Sequence, residues 1–207
     1  FWIASKSGKI RIFDKHKKFK GYLSNDGKIT QGPSIFLHSA YCFMEDRDEN
    51  IWIGTRYDGI YLLKKNKGAD FSYSLSNYVH NPDDRYSLSN NSVYSICQDD
   101  NNQVWIGSYQ GGINLVSYDE QNKMRFIHYG NQLKNYPSAN MLRVRYITQI
   151  GDSVMIAGTT DGLLTFSSDF NHPEEIKFYR NSRKAEVKSS ISSSDVMQVF
   201  QNEENIY

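Results

Sequence analysis

Seven side chains, Arg56, Tyr57, Tyr109, Gln110, Asn140, Arg143 and Arg145, are of the kinds that recognise a polyhydroxylated ligand. Flat tyrosine faces suit C–H surfaces. Planar guanidinium forks and amides suit adjacent hydroxyls, and arginine also matches a uronic or sulfated group. Such groups bind, and covalent chemistry finds little to add to them. His16, His38, His80, His128 and His172 are dispersed, none forms a His-Glu-x-x-His pair, and no Gly-x-Ser-x-Gly elbow occurs. Asp46-Arg47-Asp48-Glu49-Asn50 imitates the start of a calcium loop, but Ile51 replaces the required glycine and Tyr57 the closing glutamate. It reads as a hairpin turn, so no catalytic residue, metal ligand or cofactor is expected.

What positions these residues is a unit written four times: Phe1-Trp2-Ile3-Ala4-Ser5, Ile51-Trp52-Ile53-Gly54-Thr55, Val104-Trp105-Ile106-Gly107-Ser108 and Val154-Met155-Ile156-Ala157-Gly158. The large apolar residue recurs at 2, 52, 105 and 155. A period of roughly 50 residues is the mark of a repeat architecture.

The third copy is the clearest. Val93 to Gln98 reads as a first strand, Asp99-Asp100-Asn101-Asn102 as a hairpin turn, and Val104 to Ser108 as a second strand apolar on both sides. Gly111-Gly112 reads as a tight turn with positive backbone angles, 113–116 as a third strand and 125–129 as a fourth. Four antiparallel strands per unit predict an all-β chain, a β-propeller of about four blades, either an arc of a larger ring or a small closed one. The approximate blades are 1–33, 34–86, 87–138 and 139–190, with 191–207 starting or closing another.

The small residues two places after the aromatic, Ala4, Gly54, Gly107 and Ala157, mark close approach between sheets, with tryptophan filling the gap. First strands carry an apolar pair three apart, from Ala40 and Phe43 to Val196 and Val199; outer strands include Ile176 and Tyr179. Residues 195–201 read as a further first strand, and Asn205-Ile206-Tyr207 as the start of its partner. The chain thus opens and stops in mid-repeat, as a piece of something larger would. In such a meander the second-to-third-strand loops share one end with the connections between blades. That end gathers all seven residues into a ligand or partner surface.

Composition narrows the partners. The 24 basic and 23 acidic residues give a net charge of +1, with short basic runs at 15–20 and 64–67 that read as solvated turns, so no nucleic-acid footprint exists. No stretch reaches the roughly 20 apolar residues of a membrane span. Cys42 and Cys97 occupy different positions of neighbouring units and read as two small buried hydrophobes.

The phrase from Ser87-Leu88-Ser89-Asn90-Asn91-Ser92-Val93 to Asp99, running into Val104-Trp105-Ile106-Gly107-Ser108-Tyr109-Gln110-Gly111-Gly112-Ile113, resembles the two-component regulator propeller repeat. Asn50 to Ile60 is a near-complete second match, and the other copies match more loosely. The resemblance implies part of the periplasmic sensor region of a hybrid histidine kinase of gut Bacteroidetes. In that family two seven-bladed propellers precede a β-sandwich, one membrane span and the kinase. It also implies an oligosaccharide ligand and a homodimer in the intact sensor.

Two rivals remain. One is a passive protein-interaction platform. The other is a propeller lyase or glycosidase, for which Ser167-Ser168-Asp169-Phe170 lacks the Gly and Trp of a sialidase turn.

Overall fold

The computed structural model describes residues 1–5, 7–68, 71–183 and 190–201. They form four antiparallel sheets of four strands, each a simple meander. Blade one holds β1 (Trp2–Ala4), β2 (Ile10–Phe13), β3 (Phe19–Leu23) and β4 (Ile29–Thr30). Blade two holds β5 (Ala40–Glu45), β6 (Ile51–Thr55), β7 (Ile60–Lys65) and β8 (Tyr73–Tyr78). Blade three holds β9 (Val93–Gln98), β10 (Val104–Ser108), β11 (Gly112–Tyr118) and β12 (Met124–Ile127). Blade four holds β13 (Val144–Ile150), β14 (Val154–Thr159), β15 (Gly162–Ser167) and β16 (Tyr179–Asn181). This is an arc of a β-propeller. Among the described residues no strand pairing joins its two ends, so the small closed ring is not what forms.

Three apolar clusters lie between neighbouring sheets. Ile10, Ile12 and Phe36 meet Ile51, Ile53 and Leu63; Trp52 and Leu62 meet Ile106 and Phe126; Trp105 and Leu115 meet Met155, Leu164 and Phe166. Each tryptophan therefore wedges against the following blade, Trp105 meeting Phe166 edge-on with ring centroids 4.9 Å apart. All five residues of β6 and of β10 are buried, because a sheet covers each face.

The close approach is made by bare backbone against valine. A methyl carbon built on Gly54 would lie 2.7 Å from Val93 Cγ1, and one on Gly107 would lie 2.6 Å from Val144 Cγ1. In blade four the contact falls on Gly158, 2.9 Å from Val196 Cγ1, and not on Ala157. The strand register explains the difference. Thr159 pairs with Val144 as Ser108 pairs with Val93, so Ile156 takes the place of Trp105 and Met155 that of Val104. The fourth repeat is displaced by one residue from the alignment read in the sequence, which moves every side chain to the other face.

A buried acid secures each complete tryptophan. Trp52 Nε1 donates to Asp46 Oδ2 at 2.8 Å, and Trp105 Nε1 to Asp99 Oδ2 at 2.7 Å. The second carboxylate oxygen accepts two turn amides, from Asp48 and Asn50 in one case and from Asn101 and Gln103 in the other. Asp46 thus folds a hairpin and anchors an indole. In blade four Ile150 stands at the acid position and Ile156 at the indole position, so donor and acceptor are replaced together.

Other departures are local. Blade one begins with the repeat's second strand, so β3 holds the place of the fourth, and the short β4 adds an outer edge strand that pairs with Tyr22 and Leu23. The outer strand expected around Ile176 and Tyr179 is only β16, because Pro173–Glu175 forms a 3-10 turn and Ile176 is turned into the core. Segment 195–200 joins no sheet. It nonetheless follows the course of a first strand, with Val196 N donating to Thr159 O at 2.8 Å and Val199 buried. Its expected partner, Asn205-Ile206-Tyr207, lies outside the described residues.

Two measurements of stability follow. Gly107→Ala overpacks the blade contact and is expected to cost about 2 kcal/mol in urea denaturation, and Gly107→Ala with Val144→Ala less than the sum of the single changes. Additive costs would contradict the contact. Asp99→Ala orphans the buried indole N–H and two turn amides, with an expected loss of about 3 kcal/mol followed by tryptophan fluorescence.

Candidate functional site

The inner strands β5, β9 and β13 stand side by side and wall a cleft of about 660 Å³ at the propeller hub, lined among others by Cys42, Cys97, Ile147 and Met197. Each inner strand is interrupted at the same place. Ala40 pairs with Thr55 and Cys42 with Gly54, leaving Tyr41 unopposed; Tyr94 and Arg145 are skipped in the same way. A β-bulge of this kind re-aims its side chain. Three bulges therefore deliver Tyr41, Tyr94 and Arg145 to one rim, where the exposed Met197 holds the corresponding place beside Val196.

These residues form a column. Tyr41 and Tyr94 stack with centroids 4.6 Å apart and planes 16° apart, and Tyr94 and Tyr109 stack at 5.2 Å and 23°. The Arg145 guanidinium lies 5.7 Å from the Tyr109 ring centre and is held by Asp195, Nε to Oδ1 at 2.9 Å. Burial, and next the Tyr41 hydroxyl, push the Tyr94 phenol up. Tyr94 sits between two rings, whereas Tyr41 at the end of the column remains 46% exposed.

Tyr109 is fixed by the turn that carries it. Its amide donates to Ser92 O at 2.8 Å, and it bridges to Arg143. Gln110 adopts φ +70° and Gly112 φ +67°, so the positive angles fall on these two. Gly111 is needed for space instead, since a methyl carbon there would lie 2.5 Å from Ser89 Oγ.

The seven residues expected at this end separate into three groups. Tyr109 and Arg145 belong to the column. Gln110, Asn140 and Arg143 line a smaller pocket of about 250 Å³ with Asp161, where Asn140 Oδ1 accepts from Arg180 Nη1 at 2.8 Å. Arg56 and the exposed Tyr57 occupy the turn after β6, the guanidinium 5.0 Å from the Tyr57 ring centre. Arg56 also lines a cavity of about 670 Å³ between blades one and two, together with Tyr41, His38 and Ser39. Beside it, His38 Nδ1 lies 3.1 Å from Asp58 Oδ2, and His38 Nε2 lies 2.9 Å from Tyr61 Oη.

Sequence reasoning missed Tyr41, Tyr94 and Asp195. The signal was available: 41, 94, 145 and 197 each follow the apolar residue that opens a first strand.

An open propeller arc with a rim of bulge-presented side chains is the class that this architecture defines. The family model described as "Two component regulator propeller" matches residues 34–57 and 87–110, so blades two and three each carry a stretch similar to that family's repeat. No curated protein matches it. Among solved structures, the extracellular domain of the hybrid two component system BT3049 from B. thetaiotaomicron is 21% identical with a TM-score of 0.59, over 91% of this chain and 22% of that one. That of BT4673 from the same organism is 19% identical with a TM-score of 0.62, over 99% of this chain and 25% of that one. The chain thus spans about a quarter of the length of the structures it matches, and at this identity they establish the shared fold.

The hub wall itself is testable. Both cysteines are free; burial pushes the Cys42 thiol up to about 12 and raises that of Cys97. Cys42 is expected to react with a disulfide reagent at pH 8 about a hundredfold or more slowly than an unperturbed thiol. Reaction at the free-thiol rate would show the blades parting.

Proposed function

We propose that this chain is part of the ligand-sensing propeller in the extracytoplasmic, periplasmic region of a hybrid two-component sensor, and that its rim takes an oligosaccharide. The observation that carries the reading is the Tyr41–Tyr94–Tyr109 column. Three rings locked against one another hold the outer Tyr41 face rigid before any ligand arrives, and a flat prepaid surface is what a sugar C–H face requires. Arg56, Ser39 and His38 lie around the neighbouring cavity, within the same rim, as donors and acceptors for hydroxyls.

The family and the fold supply the context. Repeats of this family and the fold of the matched extracellular domains support a sensor input region. Among the described residues no helix is long and apolar enough to cross a membrane. In this reading the chain binds without catalysing, and the intact sensor, a homodimer, passes a rigid-body change to a kinase elsewhere.

Calorimetry of the intact sensor against a panel of plant and host oligosaccharides tests the proposal. Tyr41→Ala is expected to weaken the glycan that binds by about tenfold or more, the worth of one aromatic contact, and Tyr94→Ala to weaken it by a smaller factor. Unchanged affinity in both variants would remove the rim from the binding site.

A further inference from the structure

The cavity between blades one and two has a charge imbalance that names a ligand class. We infer, on the reading that the rim binds a carbohydrate, that this cavity is a subsite for an acidic sugar, with Arg56 taking its carboxylate or sulfate while the ring rests on Tyr41.

Among the described residues the lining includes one guanidinium and no carboxylate. The Asp58 carboxylate is engaged by His38 at 3.1 Å, and on the far side of the column Arg145 is neutralised by Asp195 at 2.9 Å. Arg56 has no carboxylate within ion-pair distance among the described residues; only its backbone amide is committed, to Ser39 O at 3.0 Å. Its guanidinium rests near the Tyr57 ring, which aims the fork without consuming its donors. A planar fork with free N–H groups fits a carboxylate or sulfate bidentately, and adjacent low-dielectric walls strengthen the pairing.

The walls suit the rest of a sugar. Ile35 and Leu37 are 49% and 73% exposed at the cavity and, with Tyr41, offer apolar surface to C–H faces. Ser7 and Ser39 add polar groups to the same lining. The smaller pocket around Asn140 differs: its lining holds the carboxylate of Asp161 as well as Arg143, so it lacks the same preference for an anion.

The test uses matched probes on the intact sensor. Oligogalacturonates are titrated beside their carboxyl-reduced forms, and κ-carrageenan oligosaccharides beside their desulfated forms, for wild type, Arg56→Met and Arg56→Lys. Arg56 is exposed, so Arg56→Met should keep the wild-type melting temperature, which is measured alongside. The expected result is that an acidic probe binds at least tenfold tighter than its neutral counterpart. Arg56→Met should erase that difference by weakening the acidic probe far more than the neutral one, and Arg56→Lys should restore part of it. Carboxylate and sulfate are distinguished by which pair shows the effect. Equal binding of acidic and neutral probes, or a preference that survives Arg56→Met, overturns the acidic subsite and leaves oligosaccharide binding standing. Binding of neither class, here and across the neutral panel, overturns both.

Discussion

The spacing between blades rests on a contact in which one partner has no side chain. Gly54, Gly107 and Gly158 each receive a valine from the next unit, Val93, Val144 and Val196. Any larger residue would drive the sheets apart, because packed interiors leave no slack for an added methyl group. With the sheets this close, the indoles of Trp52 and Trp105 are long enough to fill the outer part of each gap. The inner strands are then brought side by side, which is what creates a hub with walls.

The two ends of the arc are treated differently. Away from the rim, the hairpins interlock across blades: Arg47 N donates to Gln98 Oε1 at 2.9 Å, and Asp100 N to Gln149 Oε1 at 2.8 Å. The Arg47 side chain adds bonds to Asp99 O and Asn102 Oδ1. The Asp–Trp pairs belong to the same end. Their joint replacement by Ile150 and Ile156 in blade four follows from the energetics of buried polar groups. Losing one partner strands the other, whereas losing both can be close to neutral. The rim, relieved of this structural work, carries aromatic and charged groups.

Much of this was legible as text. The recurring Trp-Ile-Gly phrase, the Asp-rich turns and the four-strand period are local and periodic, and the arc of four-stranded sheets follows from them. The displaced fourth repeat was not legible, because Ala157 and Gly158 are adjacent and both small; only the pairing of Thr159 with Val144 decides between them. Tyr41 and Tyr94 escaped notice because strict alternation assigns them to an ordinary strand face, and a bulge leaves no mark in a hydrophobic pattern. The Arg145–Asp195 pair joins residues 50 apart in the chain, a distance no motif bridges. Arg56 and Tyr109 were recognisable by type and by turn, but their separation into a cavity and a column depends on packing.

The bulges also separate two kinds of inheritance. A residue with no cross-strand partner answers to neither the pleat nor its neighbour's size, so tyrosine, arginine and methionine can occupy corresponding places without disturbing the scaffold. One substitution per unit, at a position the hydrogen-bond ladder already skips, can rewrite what the mouth of the propeller prefers. Copies of a gene could thus diverge in appetite while sharing an unaltered frame.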